Sequence, residues 1–454
     1  MRNYDLVAIG GGAGGLSAVR TAQWAGKKAA LITDGPPGGD CTFTGCVPSK
    51  ALISAAGQGL TFSDAMARVQ HSIADIAEAE SIDALRKTGI DVFEGRGTLD
   101  GPNQVRVGSE IVPAKKIVLA TGGAPFVPPI PGLEAVPFLT NETVFDLRIA
   151  PTSLAILGGG AIGCELAQAM ARLGVKVTLF EALDRLLARE EPEASKVVGA
   201  ALTASGVDVR VGQRVERVSQ AADGSVVLTT ADNEATSVAR LLVAVGREPH
   251  TTGLALEAAG VDLDDRGYIA VDEHLRTSAA GIYAVGDVTG ELPFTHAADE
   301  MGRLAAGHAL GKGLRGPFRT SWIPWCTFTD PEVARIGVTE AEAVAMGGRV
   351  AELPMAEMNR AIVDGRTEGY LKLIAGPKRL TRRLGGGEII GATIVAPRAG
   401  EMINELALAM RTKMFTARLA MTVHAYPTWS IAIQKAAAQF FYEIEGRSAR
   451  KARK

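Results

Sequence analysis

Two cysteines lie close together in the segment GGDCTFTGCVPSK, which covers residues 38–50. Cys41 and Cys46 are separated by four residues. A chain of 454 residues with four cysteines in all cannot depend on a disulfide framework, so a close pair indicates redox or metal chemistry. An apparent helix, ALISAAGQGL, follows the pair. A helix N-terminus near Cys46 would stabilise the thiolate, which is the form that attacks disulfides or binds soft metals.

A zinc site is the alternative interpretation of this pair, and it would need two more ligands. The other two cysteines do not supply them convincingly, because Cys164 lies in a predicted helix and Cys326 is isolated. The spacing therefore favours a redox pair, and no metal site is predicted.

Glycine-rich turns occur twice in similar surroundings, in AIGGGAGGLSAV from Ala8 and ILGGGAIGCELA from Ile156. Each turn follows a strand-like run and precedes a helical run, and in both the glycines stand at the first, third and sixth positions. Glycine allows the backbone to approach a pyrophosphate, and the helix N-terminus offers unpaired N–H groups to its charge. Because two copies are present, the sequence predicts two bound dinucleotides.

The residue after the second strand of each unit bears on which nucleotide binds there. An acid at this position hydrogen-bonds the ribose and disfavours a 2′-phosphate. The second copy has Glu181 there, so NADH is favoured over NADPH, although Arg185 nearby leaves NADPH open. The first copy has Thr33, with Asp34 one residue later.

The elements that must position these residues form an α/β chain with two Rossmann-like dinucleotide-binding domains. The predicted second strands are Ala29 to Ile32 and Val175 to Phe180. A proline-dense stretch from Pro125 connects the two domains near residue 150. From about residue 321 onward the pattern predicts a third, α+β domain, and the basic tail RSARKARK is predicted to be disordered.

Composition excludes several classes of partner. The net charge is -2, without the basic excess that nucleic-acid binding requires. The longest apolar runs fall far short of the roughly 20 residues that span a bilayer. A strand-like run begins almost directly after Met1, so no secretory leader is expected and the predicted location is cytoplasmic.

Several further motifs give the chain a resemblance that spans nearly its whole length. These are ATGGAP from Ala120, AVGREP from Ala244, YAVGDVTG from Tyr283 and FTDPEVARIGVTEAEA from Phe328. Together with the cysteine segment they resemble the flavoprotein disulfide reductases, the family of glutathione reductase, dihydrolipoamide dehydrogenase and mercuric reductase. The resemblance implies FAD, a nicotinamide nucleotide, and a homodimer in which the partner's C-terminal domain completes each site.

This resemblance assigns roles residue by residue. Cys41 would exchange with substrate, and Cys46 would be the thiolate against the flavin. Lys50 would lie by the reactive flavin nitrogen and pair with Glu165, and Asp287 would hold the FAD ribityl chain. Hydride from the nicotinamide would reduce the flavin, which would open the Cys41–Cys46 disulfide, and the two thiols would reduce the acceptor.

The same resemblance divides the chain and assigns cofactor contacts. Residues 1–150 and 271–320 would form the FAD-binding domain, 151–270 the NAD(P)-binding domain and 321–454 the dimerisation domain. The residues expected to contact the cofactors are Gly10, Gly12, Ala13, Gly14, Gly15, Thr33, Asp34, Gly39, Asp40, Lys50, Gly97, Ala120, Thr121, Gly122, Gly158, Gly160, Ala161, Ile162, Gly163, Glu181, Val245, Gly246, Arg247, Gly286, Asp287, Thr295 and Ala297.

The sequence departs from the family in the segment VHAYPTWSI. Members that reduce a disulfide carry a His there and a Glu five residues later, whereas this chain has Tyr426 and Ile431. A free tyrosine is only on the order of 0.1% deprotonated at pH 7, so it is a poor base. His424 is a candidate replacement, because residues two apart on a strand face the same way.

Three interpretations of the acceptor stay open at this point. A disulfide or dithiol substrate is the first. Mercuric reductases also carry a tyrosine in this position, which suits a soft metal that binds thiolates directly. Their C-terminal cysteine pair is missing from this tail, so a metal complex or a quinone is the second possibility. A flavin-based redox sensor without sustained turnover is the third.

Overall fold

Residues 3–313, 315–377 and 384–453 are described in the computed structural model of the chain. The chain divides into two compact units. The first unit comprises residues 1–128, 139–150 and 245–320, and the second comprises 129–138, 151–244 and 321–454. Residues 245–270, assigned by sequence to the second nucleotide-binding domain, group with the first unit. The four predicted segment boundaries themselves stay predictions.

The N-terminal 150 residues contain most of the first unit's elements. The strands are β1 (Leu6–Ile9), β2 (Ala29–Thr33), β3 (Asp91–Glu94), β4 (Gly97–Leu99), β5 (Gln104–Val107), β6 (Glu110–Pro113), β7 (Ile117–Leu119) and β8 (Gly123–Pro125). The helices are α1 (Ala13–Trp24), α2 (Gly39–Phe43), α3 (Cys46–Gly57), α4 (Phe62–Glu80) and α5 (Ile82–Lys87).

Residues 151–244 form a second α/β segment. Its elements are β9 (Ser153–Leu157), α6 (Ala161–Arg172), β10 (Lys176–Glu181), α7 (Pro192–Ala204), β11 (Asp208–Val211), β12 (Val215–Gln220), β13 (Val226–Thr230), β14 (Ala235–Val238) and β15 (Arg240–Val243). Strands β9, β10, β11 and β15 form a parallel sheet in the order β11-β10-β9-β15.

The chain then returns to the first unit through β16 (Arg247–Pro249), β17 (Ile282–Ala284) and α8 (Thr295–Leu310). Strand β17 completes a parallel five-stranded sheet in the order β17-β7-β1-β2-β3. Strands β1, β2, β7 and β17 are buried along their whole length, as expected for a parallel sheet covered on both faces. The two parallel sheets confirm the prediction of two doubly wound nucleotide folds.

The C-terminal residues form an antiparallel sheet packed against helices. The elements are β18 (Trp325–Thr327), β19 (Glu332–Gly337), α9 (Glu340–Ala343), β20 (Arg349–Pro354), α10 (Asn359–Asp364), β21 (Tyr370–Gly376), β22 (Glu388–Ala396), α11 (Ala399–Arg411), α12 (Thr416–Met421), α13 (Ile431–Ala438) and β23 (Arg450–Lys451). The sheet order is β18-β19-β22-β21-β20-β23. Leu371, Ile394, Leu406 and Ile433 belong to its continuous buried core.

Residues 450 and 451 of the basic tail form a strand, which corrects the sequence-based prediction that the tail is disordered. Arg450 and Lys451 pair with the edge of β20, and the Arg450 guanidinium forms ion pairs with Glu340 and Glu352. The charges that suggested a solvated run are in part neutralised by acidic partners distant in sequence, so the prediction was wrong for these residues. Lys454 lies outside the described residues.

Along the described ranges, no helix combines the length and apolarity needed to cross a membrane.

Candidate active site

The first glycine turn is shaped to receive a charged group at the N-terminus of α1. Gly10 has φ +114°, and a Cβ there would lie 2.1 Å from the Ala120 carbonyl oxygen. Gly12 is the N-cap of α1, and no side chain caps it. A Cβ on Gly12 would meet nothing within 4 Å, so the helix N-terminus opens onto space rather than onto protein. This cradle fits a dinucleotide pyrophosphate.

The second turn repeats this geometry at α6. Gly158 has φ +107°, and Gly160 is the N-cap with nothing within 4 Å of its missing Cβ. Gly163 lies so close to Gly158 that a Cβ would stand 1.8 Å from its carbonyl oxygen. The following residue pair, Ala161 and Ile162, forms the first turn of α6. This cradle too fits a dinucleotide.

Other predicted contacts of the first nucleotide lie at one edge of the five-stranded sheet. The carboxyl ends of adjacent parallel strands meet at the same edge, where ligands of such sheets bind. Strands β1, β2, β7 and β17 are neighbours there, and each leads directly into predicted residues: Gly10 and Gly12, Thr33 and Asp34, Ala120 to Gly122, and Gly286 and Asp287. Gly97 starts β4, where a Cβ would meet the side chains of Ile9 and Ile32 at 3.0 Å.

Glu181 ends β10, as the sequence places it. Its carboxylate accepts hydrogen bonds from the backbone N–H of Gly159 at 2.6 Å and of Leu183 at 2.8 Å. The guanidinium of Arg185 donates to the Ala188 carbonyl at 2.6 Å. The Glu181 carboxylate is therefore fixed beside the glycine turn, and the Arg185 guanidinium is hydrogen-bonded to a backbone carbonyl.

The two cysteines of the redox segment start separate helices. Cys41 lies in α2, and Cys46 is the first residue of α3, with Gly45 as the N-cap. Both sulfurs are thiols rather than a disulfide in this structure. The Sγ atom of Cys46 lies 3.3 Å from the Thr295 hydroxyl oxygen, at the start of α8.

The two thiols differ in acidity. A hydrogen bond with Cys46, followed by burial, raises the pKa of Cys41 far above its usual range. Cys46 stands at the N-terminus of the twelve-residue helix α3, where partial positive charge favours a thiolate. The roles of Cys46 as the thiolate and of Cys41 as the exchanging thiol stay predictions.

Arg247 connects the redox segment to the flavin-motif aspartate. Its Nε atom lies 3.0 Å from the Asp287 carboxylate, and its Nη2 atom pairs with Asp40. Nη2 also donates to the Gly123 carbonyl at 2.6 Å. Burial raises the pKa of Asp287, and the Arg247 charge works against that rise. Three predicted cofactor residues, Asp40, Arg247 and Asp287, thus meet in one ion cluster of the first unit.

A cavity of about 540 Å³ opens beside the cysteines, and both Cys41 and Cys46 line it. Helix α1 contributes one face to it, including Arg20 and Trp24. Sequence reasoning missed these residues, and it also missed Glu80 and His296, which line the same space. The sequence did contain a spacing signal for two further residues of the cavity lining. On α8 the residues four and eight positions after the predicted Thr295 line the cavity with it, namely Asp299 and Arg303.

The C-terminal segment that replaces the family's acid–base pair is irregular rather than a strand. The expectation that His424 and Tyr426 face the same way is therefore wrong. The His424 side chain is 6% exposed, with Nε2 3.0 Å from Glu405 and Nδ1 3.0 Å from the Thr422 carbonyl. Tyr426 is 68% exposed, and its hydroxyl accepts a hydrogen bond from the Asn359 amide at 2.6 Å.

The remaining predicted residues lie in the expected elements. Lys50 is on α3 in the first unit, and Gly39 starts α2. Glu165 is buried on α6 in the second unit, where its carboxylate accepts from the Phe328 N–H at 2.8 Å. The pairing of Lys50 with Glu165 stays a prediction. Val245, Gly246 and Ala297 belong to the first unit.

Comparison with known proteins agrees with this arrangement. Residues 4–302 match the pyridine nucleotide-disulphide oxidoreductase family, and residues 323–437 match its dimerisation domain. The chain belongs to this family. It is accordingly a flavoprotein oxidoreductase with FAD as cofactor and NAD(P)H as its nicotinamide nucleotide, which confirms the predicted family, fold class, enzyme class and cofactors.

Relatives in the family have several activities. A glutathione reductase of Burkholderia cepacia is 35% identical over 94% of this chain and 96% of its own length. A dihydrolipoyl dehydrogenase of Chlamydia pneumoniae is 33% identical over 94% and 95%. A mercuric reductase of Bacillus cereus is 32% identical over 97% of this chain and 72% of its own length.

Solved structures show the same likeness. The Cu(II) complex of the HOCl-induced flavoprotein disulfide reductase RclA of Escherichia coli has a TM-score of 0.87 and 31% identity, covering 96% of this chain and 99% of that one. LpdA of Mycobacterium tuberculosis has a TM-score of 0.88 and 30% identity, covering 96% and 100%.

Proposed function

We propose that this flavoprotein passes two electrons from NADH through the Cys41–Cys46 pair to a disulfide acceptor. The observation that carries the proposal is the cavity of about 540 Å³ lined by both Cys41 and Cys46. One wall of that space is the α1 face with Arg20 and Trp24, which gives an acceptor both a cation and an apolar ring to contact. An acceptor in this cavity can reach the pair without rearrangement of the unit.

FAD, when bound, supplies the two-electron relay between the nicotinamide and the cysteine pair. The chain's own residues would bind the FAD and position the two cysteines. The α1 cradle at Gly10 and Gly12 would hold the FAD pyrophosphate, and Asp287, oriented by Arg247, would hold the ribityl chain. Helix α3 and the Thr295 hydroxyl hold Cys46 as the thiolate, while Cys41 is the thiol that faces the acceptor.

The proposed function includes a preference for NADH over NADPH. Glu181 presents a carboxylate beside the second glycine turn, where it accepts a ribose hydroxyl and repels a 2′-phosphate. Arg185, the residue that could accommodate a 2′-phosphate, is engaged by the Ala188 carbonyl. Both observations support NADH over NADPH.

The partner proposed is a second copy of this chain. Residues 323–437 match the family's dimerisation domain, and the exposed Tyr426 lies in that part of the chain. In this arrangement the partner's C-terminal domain covers the acceptor cavity. The proposal includes no nucleic acid, because the charge balance of the sequence does not favour one.

A second candidate is reduction of a metal ion at the same thiols. It is favoured by Tyr426, which stands where a disulfide substrate calls for a base and is hydrogen-bonded to an amide rather than a carboxylate. A metal held by thiolates needs no proton taken from it. Mercuric reductases are among the relatives, and RclA was solved as a Cu(II) complex.

Steady-state NADH oxidation with a panel of disulfides, metal salts and quinones tests the proposal. We expect turnover with a disulfide in the wild type, and its loss in both Cys41→Ser and Cys46→Ser. Turnover only with a metal salt would favour the second candidate, and turnover only with a quinone would contradict both candidates. Reduction of the flavin without turnover on any acceptor would instead favour a redox sensor.

A further inference from the structure

The Cys41 thiol needs a group that takes its proton before it can attack an acceptor. Its hydrogen bond to Cys46 and its burial both favour the protonated form. The sequence position that holds a histidine in disulfide-reducing relatives is Tyr426 here. A base must therefore come from elsewhere if the proposed dithiol exchange is to be fast.

The chain has six histidines, all within the described residues. Four of them are engaged away from the cysteines. The Nδ1 atom of His250 lies 3.1 Å from the Thr121 carbonyl oxygen, and the ring of His274 packs edge-on against that of His308. His71 forms an ion pair with Asp75 on the exposed face of α4.

The fifth histidine, His424, is held at both ring nitrogens. Nδ1 faces the Thr422 carbonyl and Nε2 faces the Glu405 carboxylate, so both nitrogens meet acceptors. His424 therefore anchors its segment to α11 within the second unit.

His296 is the sixth histidine, and it lies beside the cysteines in the first unit. It lies in the first turn of α8, directly after the Thr295 whose hydroxyl contacts Cys46. His296 lines the cavity together with both cysteines, and the residue is exposed. The ring stacks on Phe294 with centroids 5.6 Å apart and planes 12° from parallel, which limits its motion.

We propose that His296, supplied by the same subunit as the cysteines, is the acid–base group for the Cys41 thiol. This inference rests on the proposed disulfide-reductase function and assigns its missing proton carrier. Among the described residues, the lining of this cavity includes His296 and none of the other five histidines.

Thiol–disulfide exchange at Cys41 begins with a proton transfer. The neutral imidazole of His296 takes the proton of Cys41, and the resulting thiolate attacks one sulfur of the acceptor disulfide. The acceptor S–S bond breaks, a mixed disulfide forms on Cys41, and the leaving thiolate takes the proton back from the imidazolium. The Cys46 thiolate then attacks the Cys41 sulfur and restores the enzyme disulfide, and the second acceptor thiolate leaves and is protonated by water.

The charges that face His296 in the cavity come from three elements. Helix α4 contributes Glu80, α8 contributes Asp299 and Arg303, and α1 contributes Arg20. Arg303 is paired with Asp299 at 2.8 Å, so the charges of that pair largely cancel.

The test measures the alkylation of Cys41 in the FAD-containing enzyme, because this needs no knowledge of the acceptor. The enzyme is reduced anaerobically with one equivalent of NADH, and its long-wavelength absorbance is recorded. Iodoacetamide is then added between pH 5.5 and 9, and mass spectrometry locates the modified cysteine. Iodoacetamide is uncharged, so the charged lining does not bias its approach.

In the wild type we expect Cys41 alkylation to rise through the pH range in which histidines titrate and to remain fast above it. His296→Gln should lose this inflection and react at least about tenfold more slowly at pH 7. Added imidazole should restore the rate in His296→Ala, which a merely structural role would not allow. His71→Gln and His424→Gln serve as controls and should retain the wild-type profile.

The outcomes separate the two proposals. If NADH produces the long-wavelength band and His296→Gln and His296→Asn both keep the wild-type alkylation profile, the assignment of His296 is wrong while the proposed function stands. If the wild-type enzyme gives no band and no reactive Cys41, the proposed function fails, and this assignment fails with it.

Discussion

The Sγ atom of Cys46 lies 3.3 Å from the hydroxyl oxygen of Thr295. The contact joins the first residue of α3 to the first residue of α8, so two helix N-termini converge on one sulfur. Each N-terminus carries partial positive charge, and the hydroxyl can donate to an anion. This relationship supports the proposal that Cys46, rather than Cys41, is the thiolate of the pair.

Thr295→Val should weaken that thiolate. A hydrogen bond to a charged group contributes about 1.5–3 kcal/mol, so its loss should favour the protonated thiol of Cys46. The pH dependence of the long-wavelength absorbance of the NADH-reduced enzyme measures the shift. Thr295→Ser keeps the hydroxyl and should behave like the wild type, so an equal shift in both variants would refute the role of the hydroxyl.

Arg247→Met should lower stability and FAD retention together. The change leaves Asp40 and the half-buried Asp287 without their shared cation, at a cost of about 2 kcal/mol, between the values for exposed and buried pairs. Burial already raises the pKa of Asp287, and without Arg247 it rises further. A carboxyl whose folded pKa is raised loses its stabilising contribution as pH increases.

The stability deficit of Arg247→Met should therefore be larger at pH 7 than at pH 5. Thermal unfolding of the apoprotein at both pH values, with FAD retention measured separately, checks this. Arg106→Met removes an exposed ion pair with Asp100 and is the matched control, with little expected effect. A deficit that is the same at both pH values would contradict the role given to Asp287.

Glu340→Gln should make stability less sensitive to acid. Burial would raise the pKa of Glu340, but hydrogen bonds from Arg450 and Lys372 outweigh it and hold the pKa at about 2. A carboxyl with a lowered pKa stabilises the fold above its ordinary value and loses that contribution as pH falls. The wild type should thus exceed the variant in stability at pH 7, and the difference should shrink between pH 4.5 and about 2.

Urea unfolding of the wild type and Glu340→Gln across that range measures the difference. Glu445→Gln, which removes a more exposed contact with Lys435, is the control. If Glu340→Gln and Glu445→Gln showed the same pH dependence of the free energy of unfolding, the stabilising role given to the ion pairs of Glu340 would be wrong.

Glu181→Gln should reduce the preference for NADH. The substitution removes the charge that accepts the ribose hydroxyls, for a loss of about tenfold in kcat/KM with NADH. NADPH should be affected less, because the repulsion of its 2′-phosphate disappears at the same time. Asp184→Asn, an exposed neighbour, is the control. An unchanged ratio of kcat/KM for NADH and NADPH would exclude Glu181 as the discriminating residue.

The sequence predicted the parts of the site that depend on local backbone geometry. Gly10 and Gly158 could be assigned because a strand, a tight turn and a helix impose glycine at fixed spacing. The ion cluster of Asp40, Arg247 and Asp287 could not be predicted, since its members come from three distant parts of the chain.

The surroundings of the histidines could not be predicted from the sequence either. His424 looked available because Tyr426 was taken to continue a strand, but the segment is irregular and tertiary contacts with Glu405 bury the ring. His296 was overlooked between Thr295 and Ala297, and the four-residue spacing along α8 pointed only to Asp299 and Arg303. Side-chain placement across elements decides such cases, and a single sequence does not specify it.

The most direct test of the central claim is an anaerobic titration of the purified FAD enzyme with NADH, followed by absorbance. We expect two electrons per subunit to produce a long-wavelength thiolate-to-flavin band in the wild type and none in Cys46→Ser. Direct bleaching of the flavin without that band, identical in the wild type and the variant, would contradict the claim that Cys46 connects the flavin to the acceptor.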